Sequence, residues 1–449
     1  MYERFGGKMK RIAIIADNSC EYVSKILISW NDNDVPVLID FRTPVHACVE
    51  MIDKADAKIV YTDKVDLYNH LTSIRTDIMV ELIDSDIGAV NLPDIIRNLY
   101  KKRYDNEEAV ILFSSGTTGG CKGVRLSHMA ITTNAEKNAA RKRVDNNSVL
   151  YVYKTLSHCA SFVGELLLGL ITGANIYVCS VRTMIRMHLE NICKYNVTHF
   201  SVNPSVLHMI VINEKKRYNY SALEMVSCSG ALLDKKCRDM AQKFFGCKVV
   251  NMYGMTEVSS LFSCRTIEPK KDPMVEDDFE SVGIPLEGNK VRIWNFEAGV
   301  ETMEGEIGEV QIFSLTLMLG YLGEEKIDID REGYWNTGDL GYINSDGELF
   351  IVGRKDRMII SCGHNIYPEY IEHLIKQSGL VDECVVFGEK DELYGEKICC
   401  MYTCKDKIEK VEDHLRKECI KYLAQYEVPH CFRECAGFSH TSTGKIVVK

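Results

Sequence analysis

The chain has 449 residues, 46% apolar and 26% charged, with 54 Lys and Arg against 64 Asp and Glu for a net charge of −10. That length exceeds what one hydrophobic core fills and implies two or more domains, and the acidic balance argues against a nucleic-acid binder. Eighteen cysteines point to a reducing compartment rather than a disulfide scaffold, and the apolar run before Asp17 is too short for a secretory signal. The expectation is a cytoplasmic protein with no membrane span.

In chain order, short apolar runs come first: "RIAIIAD" (11–17), "VPVLIDF" (35–41), "KIVYTD" (58–63), "AVILFSS" (109–115), "SVLYVY" (148–153), "THFSVN" (198–203) and "KVVNMYG" (248–254). Helical periodicity fills several gaps between them, as in "VRTMIRMHLENICKYN" (181–196) and "LDKKCRDMAQKFFG" (233–246). This alternation predicts mainly parallel sheets flanked by helices. From about 281 the texture changes to alternating apolar and polar residues in "VRIWNF", "GEVQIF" and "GYINSDGELFIVGR", a small β region with a hairpin turn at 344–348. Beyond the charged run "RKDR" (354–357) lies an α+β pattern. It has a helix at 367–378, strands at 383–388 and 397–403, and a charged helix over 408–422. The expected division is an N-terminal domain over 1–353, a hinge at 354–357 and a small mobile C-terminal domain over 358–449.

The stretch after the fourth run, "SSGTTGGCKGVRLSH", packs glycine and hydroxyl residues around Lys122. Backbone amides and hydroxyls in such a loop suit an anion. The pattern is not G-x-x-x-x-G-K-[ST], because Cys121 precedes Lys122 and Gly123 follows it, and its glycines do not fit G-x-G-x-x-G either. It is a phosphate loop of a third kind. The cysteine-rich segments "CCMYTC" and His430 to His440 lack paired C-x-x-C spacing, so they do not indicate a structural zinc site.

Four separated motifs share one likeness. "SSGTTGGCKGVRLSH", "NMYGMTE" (251–257), "YWNTGDLGYINSDGELFIVGRKDRMIISCGHNIYPEYIE" (334–372) and "TSTGKIVVK" (441–449) together resemble the acyl-adenylate-forming superfamily. That superfamily comprises acyl- and aryl-CoA synthetases, peptide-synthetase adenylation domains and luciferases. "NDNDVPVLIDFRTP" and "LAQYEVP" fit as well, so the resemblance runs through nearly the whole chain in order. It implies that a carboxylate is joined to the α-phosphate of ATP with loss of pyrophosphate, and that the acyl group then passes to the thiol of CoA or of a carrier protein's phosphopantetheine.

Carried over residue by residue, the resemblance gives Ser114, Ser115, Gly116, Thr117, Thr118, Gly119 and Lys122 to the ATP phosphates. Gly230, Ala231, Asn251, Met252 and Tyr253 go to adenine, and Asp339 and Arg354 to ribose. Thr256 bonds the α-phosphate, Glu257 is the Mg²⁺ ligand, and Lys445 bridges the carboxylate and the α-phosphate. Asp356 marks the hinge, and Gly363 lies beside the thiol tunnel. The acid pocket falls to "LSHCASFVGELL", "VNPSVL" and "SCSGALL", with Gly254 and Met255. His158, Cys159, Phe162, Asn203 and Ser229 are its candidates in those three segments. No carboxylate precedes Glu165 in the first of them, which argues against an α-amino acid substrate; an aryl or aliphatic acid is expected.

This chain departs from the pattern at Cys121, where the family has proline, at Lys449, where it has arginine, and in a shorter N-terminus, as in o-succinylbenzoate-CoA synthetases. None of these removes a catalytic group. A stand-alone enzyme loading a carrier protein and an inactive nucleotide-binding relative are the other readings.

Overall fold

The computed structural model describes residues 9–83, 105–115, 121–214, 216, 218–265, 280–324, 326–404, 410–440 and 446. The chain divides into two compact units, Met1–Lys290 with Phe313–Tyr334, and Val291–Ile312 with Trp335–Lys449. The small β region thus falls largely with the C-terminal segment. Among the described residues no helix is long and apolar enough to cross a membrane.

The first unit carries two seven-stranded sheets. In the first, β1 (Arg11–Ile15), β2 (Val35–Leu38), β3 (Ile59–Thr62), β4 (Met79–Leu82) and β5 (Glu108–Ser115) run parallel. β6 (Cys121–Ser127) turns back antiparallel on β5, and a two-residue strand, β17 by its place in the chain (Gly320–Tyr321), pairs with β6. The order is β17-β6-β5-β2-β1-β3-β4. Three helices alternate with the early strands: α1 (Cys20–Asn31), α2 (Val45–Ala55) and α3 (Val65–Ile74). Ile52, Leu67 and Leu71 from α2 and α3 bury fully against Ile15, Val37 and Val60 of the sheet.

The second sheet has the order β13-β12-β11-β10-β9-β7-β8. Its parallel core is β7 (Val149–Val152), β8 (Asn175–Val178), β9 (His199–Val202), β10 (Met225–Cys228) and β11 (Lys248–Met255). β12 (Ser260–Cys264) and β13 (Ile284–Pro285) add antiparallel at the edge. Strands β9 and β10 are buried along their whole length, as central strands covered on both faces should be.

The helices covering this sheet start and stop where their caps dictate. Ser127 accepts the Ala130 amide at 3.1 Å to open α4 (His128–Lys142). α5 (Ile185–Lys194) and α6 (Pro204–Asn213) follow. Asp234 accepts the Cys237 amide at 2.7 Å to open α7 (Lys235–Phe245), which stops at Gly246 with φ +70°. Between β7 and β8 a helical run over 159–172 contains a π-turn at Phe162–Leu167.

The second unit holds an antiparallel sheet of β14 (Lys290–Asn295), β15 (Val300–Glu301), β16 (Gly308–Phe313), β18 (Trp335–Ile343) and β19 (Leu349–Arg354). The expected hairpin joins β18 to β19, with Gly347 at φ +74°. A last sheet contains β20 (Ile359–Ser361), β21 (His364–Ile366), β22 (Glu383–Asp391), β23 (Gly395–Thr403) and β24 (Cys431–Glu434). Helices α8 (Pro368–Gln377) and α9 (Val411–Tyr422) bury Ile371, Ile375, Leu415 and Cys419 in one core with Val386 and Ile398 from this sheet.

Candidate functional site

The β5–β6 hairpin sets Ser114 opposite Lys122 and Ser115 opposite Cys121. Gly116, Thr117, Thr118 and Gly119 lie outside the described residues, as does Lys445. β17 pairs on the outer side of β6 with Tyr321 opposite Val124. That pairing brings the Tyr321 ring beneath Lys122, whose Nζ lies 4.8 Å from the ring centroid. The Tyr321 hydroxyl donates to Glu257 Oε1 at 3.0 Å. Glu257 belongs to a single 3₁₀ turn, Thr256–Val258, that follows β11, and its carbonyl accepts the Met318 amide at 2.8 Å. Next to it the buried Thr256 hydroxyl donates to Cys159 Sγ at 3.5 Å. One tyrosine therefore joins the sequence-predicted phosphate lysine to the sequence-predicted metal ligand.

The path into that turn depends on Gly254. A β-bulge interrupts the β11–β12 ladder between Tyr253 and Gly254, and a Cβ on Gly254 would lie 1.7 Å from the Ser260 carbonyl oxygen. No side chain fits there.

The ends of β9 and β10 place Asn203 and Ser229–Ala231 along one edge of the second sheet, and the nucleotide motif lies on the neighbouring β11. In open parallel sheets this carboxyl edge is where ligands bind. Gly230 turns there with φ +94°, and the Ser229 amide donates to the Val202 carbonyl at 3.3 Å. Asn251 is buried, and its amide nitrogen donates to the Glu280 and Ser281 carbonyls at 3.1 and 3.3 Å. Among the described residues its Oδ1 has no hydrogen-bond partner. Met252 is a core residue with Met225, Val250 and Leu261, whereas Tyr253 and Met255 are half-buried.

Of the acid-pocket candidates, His158 Nδ1 accepts the Ala160 amide at 3.3 Å and so caps the short helix after it. The Cys159 thiol is buried, which pushes its pKa up to about 11 against the opposing pull of the Thr256 hydrogen bond. Phe162 is 1% exposed and packs on Trp30 with ring centroids 5.8 Å apart, so it is spent on the core.

In the second unit Asp339 lies opposite Arg354 across β18 and β19. Arg354 Nη1 donates to Asp339 Oδ1 at 2.9 Å and to the Thr337 carbonyl at 3.0 Å, while Nε reaches Asp356 at 3.3 Å. Burial opposes the Arg354 charge, but Asp339 and Asp356 outweigh it and raise its pKa. Arg357 is clamped to α8, with Glu369 at 3.1 Å and Glu372 at 2.6 Å. Burial pushes Glu369 up to about 7 even though Arg357 pulls the other way. Gly363 is exposed at φ +78° in the β20–β21 turn.

Tyr321 was not legible as a site residue. It stands in "LMLGYLG" with no charged or hydroxyl neighbour pattern, and only strand pairing reveals its position. The cysteine-rich segments also meet: Cys399 pairs with Cys431 across β23 and β24, and its thiol donates to Glu389 at 3.4 Å. Glu389 is in turn bridged by Arg433.

Comparison with known proteins identifies the family. The model of the AMP-binding enzyme family matches residues 6–322, and that of the AMP-binding enzyme C-terminal domain matches 370–445. The chain is 30% identical over 350 residues to the mitochondrial medium-chain acyl-CoA ligase ACSF2 of Homo sapiens, covering 75% of the chain but only 55% of that protein. It thus spans about half the length of that relative. To the 2-succinylbenzoate–CoA ligase of Staphylococcus epidermidis it is 27% identical, over 97% of the chain and 86% of the relative. The fold matches ATP-bound MatB from Rhodopseudomonas palustris with a TM-score of 0.86 at 21% identity, covering 98% of this chain and 88% of that one. The chain belongs to the AMP-binding enzyme family.

Proposed function

We propose that the chain activates a carboxylic acid with ATP, forming an acyl-adenylate and pyrophosphate, and then transfers the acyl group to the thiol of CoA. The observation that carries this reading is the Lys122–Tyr321–Glu257 arrangement at the base of the phosphate hairpin. Lys122 offsets polyphosphate charge, and its position over the Tyr321 ring holds the ammonium in place. Glu257 offers hard carboxylate oxygen of the type Mg²⁺ takes, with Tyr321 fixing its orientation. When bound, the ion neutralises phosphate charge and polarises the phosphoryl group.

The Thr256 hydroxyl stands beside Glu257 to meet the α-phosphate. The buried Oδ1 of Asn251, without a partner among the described residues, suits a donor such as the adenine amino group, because leaving it unpaired is costly. Asp339 and Arg354 keep the ribose role their motif carries, and Lys445 the bridging role. Asp356 keeps the role of hinge.

CoA is favoured as acceptor because the curated relatives above are named CoA ligases. A phosphopantetheinylated carrier protein is the competing acceptor. Acid-dependent exchange of labelled pyrophosphate into ATP, run over aryl, fatty and amino acids, tests the first half-reaction. Exchange with one acid class supports it, and no exchange with any acid counts against it. Supplying CoA or a pantetheinylated carrier to the active mixture then separates the acceptors.

A further inference from the structure

The turn that follows β1 belongs to the first sheet but holds two loops of the second. Asp17 and Asn18 stand between β1 and α1, and the Ser19 hydroxyl accepts the Tyr22 amide at 3.0 Å to open that helix. A strand and a capped helix therefore fix the turn from both sides. Asn18 is 4% exposed, and its side-chain amide faces backbone of the second sheet's loops. Its Nδ2 donates to the Lys154 carbonyl just beyond β7 at 2.8 Å, and to the Cys179 carbonyl just beyond β8 at 3.2 Å. Its Oδ1 accepts the Leu156 amide at 2.9 Å. Of the two loops Asp17 holds the later one, where it accepts the Ser180 hydroxyl at 2.6 Å and the Val181 amide at 2.8 Å.

The residue type at 18 is narrowly set. Two carbonyls need a donor and one amide needs an acceptor, and asparagine carries both on one planar group. A carboxylate of the same shape would turn an oxygen toward the carbonyls, and an aliphatic side chain would leave three backbone groups unpaired. Lys154 Nζ holds the earlier loop to the second sheet through Ser201 Oγ at 2.6 Å, and Asn18 ties the same loop to the first.

That loop leads to the reacting end. From Thr155 to His158 the chain makes one closed turn. The His158 amide donates to the Thr155 carbonyl at 3.2 Å, and the Ser157 amide to the Thr155 hydroxyl at 3.3 Å. Thr155, Leu156 and Ser157 are all buried. Cys159 comes next, and its Sγ accepts the Thr256 hydroxyl at 3.5 Å. An acid that attacks the α-phosphate lies beside Thr256, so Cys159 and the turn before it border the acid's place. Hydrogen bonds alone carry the link from Asn18 to that border.

We infer that Asn18 is a positioning residue for the acid substrate. It sets the 155–158 turn, and Cys159 after it, before the acid arrives. This rests on the adenylation reading above.

Pyrophosphate exchange by the full chain, with the best acid of the panel above, gives the test. Asn18→Ala is expected to raise KM for that acid by about 5-fold or more, the scale of leaving buried backbone groups unpaired, and to change KM for ATP by less than about 2-fold. Ser180→Ala cuts the same turn's hold on the later loop; it is expected to lower the melting temperature and leave the acid KM unchanged. In the unmodified chain, amide hydrogen exchange over 155–159 should already be slow before any acid is added, a reading that needs no variant to fold. An unchanged acid KM in Asn18→Ala, equal rises in both KM values, an acid KM raised as much by Ser180→Ala, or fast amide exchange that slows only with acid overturns the inference and leaves adenylation standing. No pyrophosphate exchange with any acid in the unmodified chain overturns both.

Discussion

The Tyr321 hydroxyl donates to Glu257 Oε1 at 3.0 Å, although 64 positions separate the two residues in the chain. The bond exists because β17 pairs with β6, and it leaves the tyrosine face to Lys122. Tyr321→Phe keeps the ring and removes only the hydroxyl. A hydrogen bond to a charged group contributes about 1.5–3 kcal/mol, so the variant is expected to lose roughly 10-fold or more in kcat/KM for ATP and to need more Mg²⁺ for half-maximal rate. An unchanged Mg²⁺ dependence would show that Tyr321 does not orient Glu257.

Gly254→Ala separates close approach from backbone conformation. Its new Cβ would meet the Ser260 carbonyl at 1.7 Å, so the strand must shift, and a loss of about 2–4 kcal/mol is expected by denaturant titration. Gly363→Ala is the contrast. Nothing lies within 4 Å of its Cβ site, and only the φ of +78° opposes it, so a loss of about 1–2 kcal/mol is expected. Equal effects would contradict the steric account of Gly254.

Glu369 should make stability fall as pH rises toward neutrality. Its pKa is pushed up to about 7 by burial, so below that pH the folded chain holds a proton that the unfolded chain releases near the ordinary carboxylate value. The folded state binds more protons in the window from about 4.5 to 7, and unfolding free energy declines across it, by about 3 kcal/mol on the scale of 1.36 kcal/mol per pKa unit. Above pH 7 the contribution is constant. Glu369→Gln is expected to flatten that slope, measured as melting temperature against pH, while Arg357 keeps Glu372 as its ion partner. A slope unchanged by the substitution would assign it elsewhere.

Lys445→Ala should divide the two half-reactions. The bridging role given to Lys445 belongs to adenylation alone. Pyrophosphate exchange is therefore expected to fall by about 100-fold or more, the scale of losing a group that stabilises transition-state charge. Transfer from a supplied acyl-adenylate to CoA should persist. Equal loss in both assays would refute that role.

Much of the scaffold was legible because its strands are continuous apolar runs and its helices carry their own caps. "LDKKCRDMAQKFFG" begins and ends at Asp234 and Gly246 as its cap chemistry requires. "VRTMIRMHLENICKYN" turns helical only at Ile185, because the Val181 amide and the Ser180 hydroxyl are held by Asp17 at 2.8 and 2.6 Å. Strands β4, β8, β10 and β12 went unread: they are four or five residues long, and β4 and β8 are partly exposed. Motif spacing singled out Lys122, Thr256 and Glu257 because loop chemistry is local. Tyr321 is invisible in the sequence because strand pairing, not sequence proximity, brings it to Lys122 and Glu257. Met252 and Phe162 stand in the segments the motifs point to but face the core, a distinction that a motif does not encode.

The central claim is best tested by the fate of the nucleotide. Incubated with ATP, Mg²⁺, CoA and an acid it accepts, the protein should release AMP and pyrophosphate, with one acyl-CoA formed per AMP, as read by mass spectrometry and chromatography. Release of ADP and phosphate, or of AMP without any acyl product, would contradict an adenylating ligase.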